Sequence, residues 1–290
     1  MNVDRWKFGP QDGEGGSASP EEEARRNRAR AEKEWREKIE IGVKTKRSDE
    51  HPEYNGDVAF INRDIGAFGV LDGFGKDRAS EIAATIAKDA IEEILRTHDS
   101  PTDSQETNEA VRLAKTEEVI RLALRGADRA IRDRSRKPET HRMYVAVAIV
   151  KLWKTESGEI KGILGDIGNC RVQALRKNSN GALDVLSENY LIRHFDDEGN
   201  ESSNSSHEFK HALGMGKPEE ISLDIIELSF QDGDQLLITS NGVHENLSPE
   251  QIIEIMERAS SGQDCADALI QLSHEHRKFD DDMTVVVVKL

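Results

Sequence analysis

Gly69-Val70-Leu71-Asp72-Gly73-Phe74-Gly75 decides the reading of this chain. Phe68, Val70 and Leu71 make an apolar strand that can bury itself, but Asp72 beyond them cannot be buried as a charge without a cation or several hydrogen-bond donors. The glycines allow close backbone approach, so a carbonyl as well as the carboxylate can face one point. Downstream, apolar residues at Ala79, Ile82, Ala83, Ile86, Ala87, Ala90, Ile91, Ile94 and Leu95 form one helical stripe, for which Asp77 is the expected N-cap. Strand, acidic glycine turn and long helix make a rigid mount. A lone Asp-Gly pair would be an ordinary turn; Asp72 stands out because acidic or amide strand ends recur along the chain.

Upstream, Asn55-Gly56-Asp57 opens the strand Val58-Ala59-Phe60-Ile61, and Asn62-Arg63-Asp64-Ile65-Gly66 reads as a hairpin turn back into Ala67–Leu71. Asp57 and Asp72 are therefore expected at neighbouring ends of an antiparallel pair. Further on, Asp166 ends a strand in Leu164-Gly165-Asp166-Ile167-Gly168-Asn169, Asn241 follows the strand Gln235–Ser240, and Asp281 precedes the valine-rich strand Met283–Lys289. Hard oxygen donors without His or Cys partners suit Mg²⁺ or Mn²⁺ rather than zinc. A pair of such ions lowers the pKa of a bridging water and clamps an anionic ester for in-line attack. No P-loop, nucleophile elbow, HExxH or dinucleotide fingerprint occurs in the sequence, so the expected nucleophile is metal-bound hydroxide.

Residues 1–18 lack apolar periodicity and are expected to be a disordered tail. Ser19-Pro20-Glu21-Glu22 starts a charged N-terminal helix over 19–38, docked by Trp35 and Ile39. A strand is expected at Ile39–Val43, with Lys44-Thr45-Lys46-Arg47 leading into a loop. A second long helix should run from about Glu106 to Arg134 and pack against the first. Strands at Met143–Trp153, Ile160–Gly165, Cys170–Leu175 and Leu183–Leu186 read as a meander joined by turns such as Ser157-Gly158 and Asn180-Gly181. Residues 187–216 are polar and irregular, a surface flap, and Asp196–Asn200 within it fails the spacing of a calcium loop. A half-buried strand over Ile221–Leu228 and helices at Pro249–Ala259, capped by Ser248, and at Asp264–His276 complete the pattern.

At 290 residues, 36% of them hydrophobic and 22 more glycine, the chain can bury a sizeable core. Its net charge of −16, from 40 basic and 56 acidic residues, argues against nucleic acid or an anionic membrane as a non-specific partner. If the chain handles phosphate, metal ions or a local basic patch must offset that field. Cys170 and Cys265 have no zinc or redox spacing, the longest apolar run, Met143–Val150, is far short of a membrane span, and no signal-peptide core is visible. A soluble, cytoplasmic, monomeric protein is expected.

The motifs NGD at Asn55–Asp57, GVLDGFG at Gly69–Gly75, LGDIGNCRV at Leu164–Val172, HALGMG at His211–Gly216, LLITSNGVHENLS at Leu236–Ser248 and DDMTVVVV at Asp281–Val288 occur in that order. Together they resemble the metal-dependent type 2C protein serine/threonine phosphatases, the PPM family, across residues 40–290. The resemblance implies an α+β fold over 39–290, a four-layer α-β-β-α sandwich of two antiparallel sheets flanked by helix pairs. It also implies two Mn²⁺ or Mg²⁺ ions, with room for a third, and hydrolysis of phosphoserine or phosphothreonine on a phosphoprotein substrate. Residue by residue, Asp72 would bridge both ions and hold the attacking water, the Gly73 carbonyl and Asp57 would serve one ion, and Asp281 and the residue at 241 would serve the other. Asp166 and Glu245 fall where a third ion can bind. The departures are Asn241 for an expected Asp, Gly56 for a frequent Glu or Gln, Phe74 for a His or Met, and Pro52 for a phosphate-binding Arg. Lys44, Lys46 and Arg47 are the candidates to replace that Arg. Asn241 and Pro52 keep open a second reading, a catalytically weakened member that binds a phosphoprotein or partner.

Overall fold

The computed structural model describes residues 19–76, 78–98, 108–136, 142–179, 182–188, 211–217, 223–278 and 280–290. The tail expected over 1–18, the Asp77 cap, the Asn180-Gly181 turn and most of the flap expected over 187–216 lie outside these residues. In chain order the elements are α1 (Pro20–Lys38), β1 (Glu40–Lys46), β2 (Asp57–Asn62), β3 (Ala67–Gly75), α2 (Ala79–His98), α3 (Glu109–Ser135), β4 (Met143–Lys154), β5 (Ile160–Ile167), β6 (Arg171–Lys177), β7 (Leu183–Glu188), β8 (Asp224–Phe230), β9 (Gln235–Thr239), α4 (Asn241–His244), α5 (Pro249–Arg258), α6 (Gly262–Glu275) and β10 (Met283–Lys289).

The strands form two five-stranded sheets with antiparallel pairing, ordered β1-β10-β9-β6-β7 and β2-β3-β4-β5-β8. Alternation along β3 shows how the layers arise. Phe68 and Val70 point into the core between the sheets, with Ala146, Ala148, Leu236, Ile238, Val286 and Val288. Ala67 and Leu71 point the other way, onto Ala83, Ala87 and Ile91 of α2 and Ile120 and Leu124 of α3. On the far side of the first sheet, Leu237, Val285 and Val287 meet Val243, Ile252, Met256 and Leu269 from α4, α5 and α6. The result is the expected α-β-β-α sandwich with a helix pair outside each sheet.

Four expectations about strands need correction. The four strands after α3 are not one meander: β4 and β5 pair in one sheet, whereas β6 and β7 belong to the other. The chain changes sheet between Ile167 and Arg171, through Gly168 at φ +106°, where a Cβ would lie 2.4 Å from that of Ala146. Hydrophobic alternation is the same in either sheet, so periodicity cannot reveal such a crossing. Nor does β3 end at Asp72. It continues to Gly75 because β4 pairs with it as far as Met143, while its other neighbour β2 starts at Asp57. Asp166 likewise lies inside β5, and β1 runs on to Lys46 against Met283. The second long helix begins at Glu109, where Asn108 caps the amides of Ala110 and Val111.

Helix α1 starts on a capping box between Ser19 and Glu22. Trp35 and the following Ile39 enter the core between the sheets. Buried polar contacts absent from the sequence reading add to this docking. Glu32 accepts from Arg36 at 2.8 Å and from Arg112 of α3 at 2.7 Å. Arg63 in the β2–β3 turn donates to the carbonyls of Arg36, Glu37 and Ile39, and Arg36 donates back to the Asp64 carbonyl. The hairpin is thus held by α1 at the end opposite Asp57 and Asp72. No described helix is long and apolar enough to cross a membrane.

Candidate metal centre

Asp57 and Asp72 are direct partners in the β2–β3 register, and both lie on the strand faces turned toward the other sheet, with Ala59 and Val70. They are 5% and 4% exposed. Ser240, at the end of β9 and fully buried, donates its hydroxyl to Asp57 Oδ2 at 2.6 Å and accepts from the Thr284 amide at 2.9 Å. Asp57 Oδ1 and Asp72 Oδ2 are buried and have no hydrogen-bond partner among the described residues. Burial raises both carboxyls well above the ordinary range. For Asp57, Ser240 offsets part of this, and the charges of Asp282 and Asp281 add to it. For Asp72, Asp57 adds most, followed by Asp281, Asp282 and Glu245.

The Asp280-Asp281-Asp282 run divides its work. Asp282 accepts from the Ser48 amide at 2.8 Å and the Gly56 amide at 2.6 Å. Asp280 accepts from the Ser48 hydroxyl and the Glu50 amide. Both tie the loop before β2 to the start of β10. Asp281 faces Asn241, whose amide nitrogen donates to it at 3.1 Å, while the Asn241 oxygen accepts from the Gly242 amide at 2.9 Å. Burial raises the Asp281 carboxyl, and the Asp282 amide and Asn241 lower it in part.

Glycine is required at 73 by close approach: a Cβ there would stand 2.2 Å from the Ser80 carbonyl at the start of α2 and 2.9 Å from that of Gly56. The Gly73 amide donates to the Gly56 carbonyl at 3.0 Å, which joins the segments bearing Asp57 and Asp72 beyond the paired register.

The structure thus gathers Asp57, Asp72, Gly73, Asn241 and Asp281 at one end of the sandwich, with Glu245 at the C-terminus of α4 close enough to act on Asp72. Asp166 lies on β5 opposite Ala148; burial pushes the Cys170 thiol up, and the charges of Asp72, Asp57 and Asp166 add to it. Asp57 is drawn to Ser240 and Asp281 to Asn241, and among the described residues no three His, Cys, Asp or Glu side chains close on a single point. Of the candidates to hold phosphate, Lys44 pairs with Asp267 at 2.9 Å and Lys46 with Asp49 at 3.3 Å; Arg47 is exposed. The sequence reading missed Ser240, Asp282 and His51, which stacks on Tyr54 beside Asp282. The SNG and DDM motifs contain the first two, Ser240 and Asp282, and no local signal marked the third.

Two partnerless, buried carboxylate oxygens on facing positions of neighbouring strands fit a hard divalent cation: the cation removes the cost of burial and the repulsion together. The donor set is oxygen alone, which excludes a zinc-type site of His and Cys.

The C-terminal stretch 191–290, which carries Asn241, Glu245 and Asp281, matches the family model of stage II sporulation protein E, SpoIIE. No curated protein matches the chain in sequence. Among solved structures, the catalytic domain of the serine/threonine protein phosphatase PstP in complex with two manganese ions is 21% identical, with a TM-score of 0.64 over 87% of this chain and 97% of that one. PstP/Ppp of Mycobacterium tuberculosis is 20% identical, with a TM-score of 0.66 over 87% and 98%. The PPM Ser-Thr phosphatase MsPP of Mycobacterium smegmatis, in complex with cacodylate, is 18% identical, with a TM-score of 0.64 over 86% and 97%. The chain has the fold of the PPM phosphatases, as the sequence resemblance implied.

Proposed function

We propose that this chain is a Mn²⁺- or Mg²⁺-dependent phosphatase acting on phosphoserine or phosphothreonine in proteins. The observation that carries the reading is the buried Asp57–Asp72 pair, each with one oxygen that has no partner among the described residues. In this reading Asp57, Asp72, the Gly73 carbonyl, Asp281 and the Asn241 oxygen hold two ions, and Asp166 and Glu245 serve a third. When bound, the ions supply Lewis acidity at the phosphoryl group and lower the pKa of water. The chain's own part is placement. Ser240 keeps one Asp57 oxygen engaged and leaves the other, which has no partner among the described residues, for an ion. Asp282 fastens the loop that approaches the centre from Ser48 to Gly56. For Asn241 to coordinate, its amide must turn over and give up the bond to Asp281.

That last contact favours a second reading, a weakened member that binds a phosphoprotein without rapid turnover. Burial of both free thiols, Cys170 and Cys265, supports a cytoplasmic setting. Hydrolysis of a phosphothreonine peptide with Mn²⁺, against a chelator control and the Asp72→Ala variant, tests the enzyme reading. Turnover abolished by chelator and by the substitution is expected; activity that survives either rejects the two-ion assignment.

A further inference from the structure

The motif His211–Gly216 carries none of the ion-holding residues, yet its backbone lies at their end of the sandwich. Leu213 exchanges two amide–carbonyl bonds with Val145, at 2.9 and 3.1 Å, and Val145 is the register partner of Gly73. Two interstrand steps, about 10 Å, therefore separate the backbone of Leu213 from that of Gly73. On its other flank, the His211 carbonyl is 3.7 Å from where a Cβ on Gly168 would stand, two residues beyond Asp166.

One buried ion pair on α3 holds this irregular stretch. Asp128 and Arg132, one helical turn apart, meet at 2.7 Å with side chains 5% and 14% exposed. Asp128 Oδ2 accepts from Arg132 Nε, and its Oδ1 accepts from the Gly214 amide at 2.7 Å. The two terminal nitrogens of Arg132 donate to the carbonyls of Met215, at 2.7 Å, and Gly216, at 2.8 Å. Burying two charges costs desolvation that is offset only when their remaining donors and acceptors are satisfied. Here those remaining bonds go to the backbone of three consecutive residues, and reaching two carbonyls at once needs the planar fork of an arginine.

We propose that Asp128 and Arg132 are positioning residues that fix His211–Gly216 as the surface on which the peptide chain flanking the phosphorylated residue lies. The proposal rests on the phosphatase reading, which puts the phosphoryl group at Asp57, Asp72 and Gly73. An extended chain advances about 3.3 Å per residue, so the distance from Gly73 to Leu213 brings the third residue from the phosphorylated one over the motif. A backbone fixed in advance removes an ordering cost from peptide binding and leaves the ion centre unchanged.

The test compares a phosphothreonine peptide with p-nitrophenyl phosphate, which has no flanking chain, as substrates at saturating Mn²⁺. Arg132→Lys keeps a cation beside the buried Asp128, and with it the fold, but lacks the fork. It is expected to raise KM for the peptide about tenfold, the scale of one hydrogen bond to a charged group, with kcat unchanged. The kinetics of p-nitrophenyl phosphate and the calorimetric affinity for Mn²⁺ should stay as in the wild type, while amide hydrogen exchange at Leu213 and Gly214 rises. An unchanged peptide KM, or a loss shared equally by both substrates, would overturn the assignment. If the wild type hydrolyses neither substrate, the phosphatase reading fails separately, and fluorescence anisotropy with the same peptide decides the surface: weaker binding by Arg132→Lys upholds it, and equal or absent binding overturns it.

Discussion

Replacing Asn241 by Asp is expected to weaken the metal-free protein and tighten its hold on Mn²⁺ at once. The Asn241 amide donates to Asp281 across 3.1 Å. A carboxylate at 241 turns that hydrogen bond into a like-charge contact. At this separation and an effective dielectric of about 20, two unit charges repel by about 5 kcal/mol. Rotation of the new side chain and partial protonation relieve most of this, and loss of a hydrogen bond to a charged group costs about 1.5–3 kcal/mol. A net loss of about 2 kcal/mol lowers the melting temperature of a domain this size by roughly 4–8 °C. Added Mn²⁺ reverses the sign, because the second carboxylate contributes charge to the ion where the amide contributes only a dipole. The dissociation constant should fall about tenfold or more, and turnover at limiting Mn²⁺ should rise with it. Thermal melts with chelator and with Mn²⁺, together with calorimetric titration of the ion, read both effects. An unchanged metal-free melting temperature and an unchanged affinity would refute the placement of Asn241 beside Asp281. If affinity rises but neither protein hydrolyses peptide at saturating Mn²⁺, the binding reading moves ahead of the enzyme.

Asp72→Asn should stabilise the metal-free protein in a pH-dependent way. The folded-state pKa of Asp72 is raised, so the folded chain binds more protons than the unfolded one and its stability falls as pH rises above the ordinary value of 3.8. The gap between variant and wild type should therefore open above that pH in urea titrations with chelator, and a gap independent of pH would contradict the buried-charge account. Ser240→Ala should loosen Mn²⁺ about tenfold, the usual scale for a residue that orients a ligand, with circular dichroism unchanged; unaltered affinity would remove Ser240 from the centre. Glu32→Gln leaves Arg36 and Arg112 buried against a neutral amide and should cost about 3 kcal/mol in urea unfolding, whereas a loss below about 0.5 kcal/mol would show that α1 is held by Trp35 and Ile39 alone.

Elements with a continuous apolar rhythm were legible in the sequence: α2, α3 and the strands around Asp57 and Asp72 follow from period and turn chemistry. That those two aspartates lie at neighbouring strand ends followed as well from the hairpin, but their direct pairing did not: the turn is four residues, 63–66, which sets Asp57 opposite Asp72, whereas the five residues read as the turn would have set it opposite Leu71. The division among Asp280, Asp281 and Asp282 was not legible. Three identical residues in a row take different partners, Ser48 and Glu50, Asn241, and Ser48 with Gly56, all far away in the chain. The same holds for Glu32, whose carboxylate is committed to Arg112 eighty residues on, although its helix reads as a solvated charged one. His51 is one polar residue in a polar loop, and its placement depends on Tyr54 and Asp282 meeting around it. Polar contacts between distant residues leave no periodic trace, and the centre is built from them.

The claim that the Asp57–Asp72 pair exists to hold a divalent cation is tested most directly by anomalous diffraction from crystals of the protein grown with Mn²⁺. The account predicts an anomalous peak within coordination distance of the Asp57 and Asp72 carboxylates and the Gly73 carbonyl, and a second, weaker one toward Asp281. A map with no peak beside Asp72, at a Mn²⁺ concentration that saturates calorimetric binding, would contradict it.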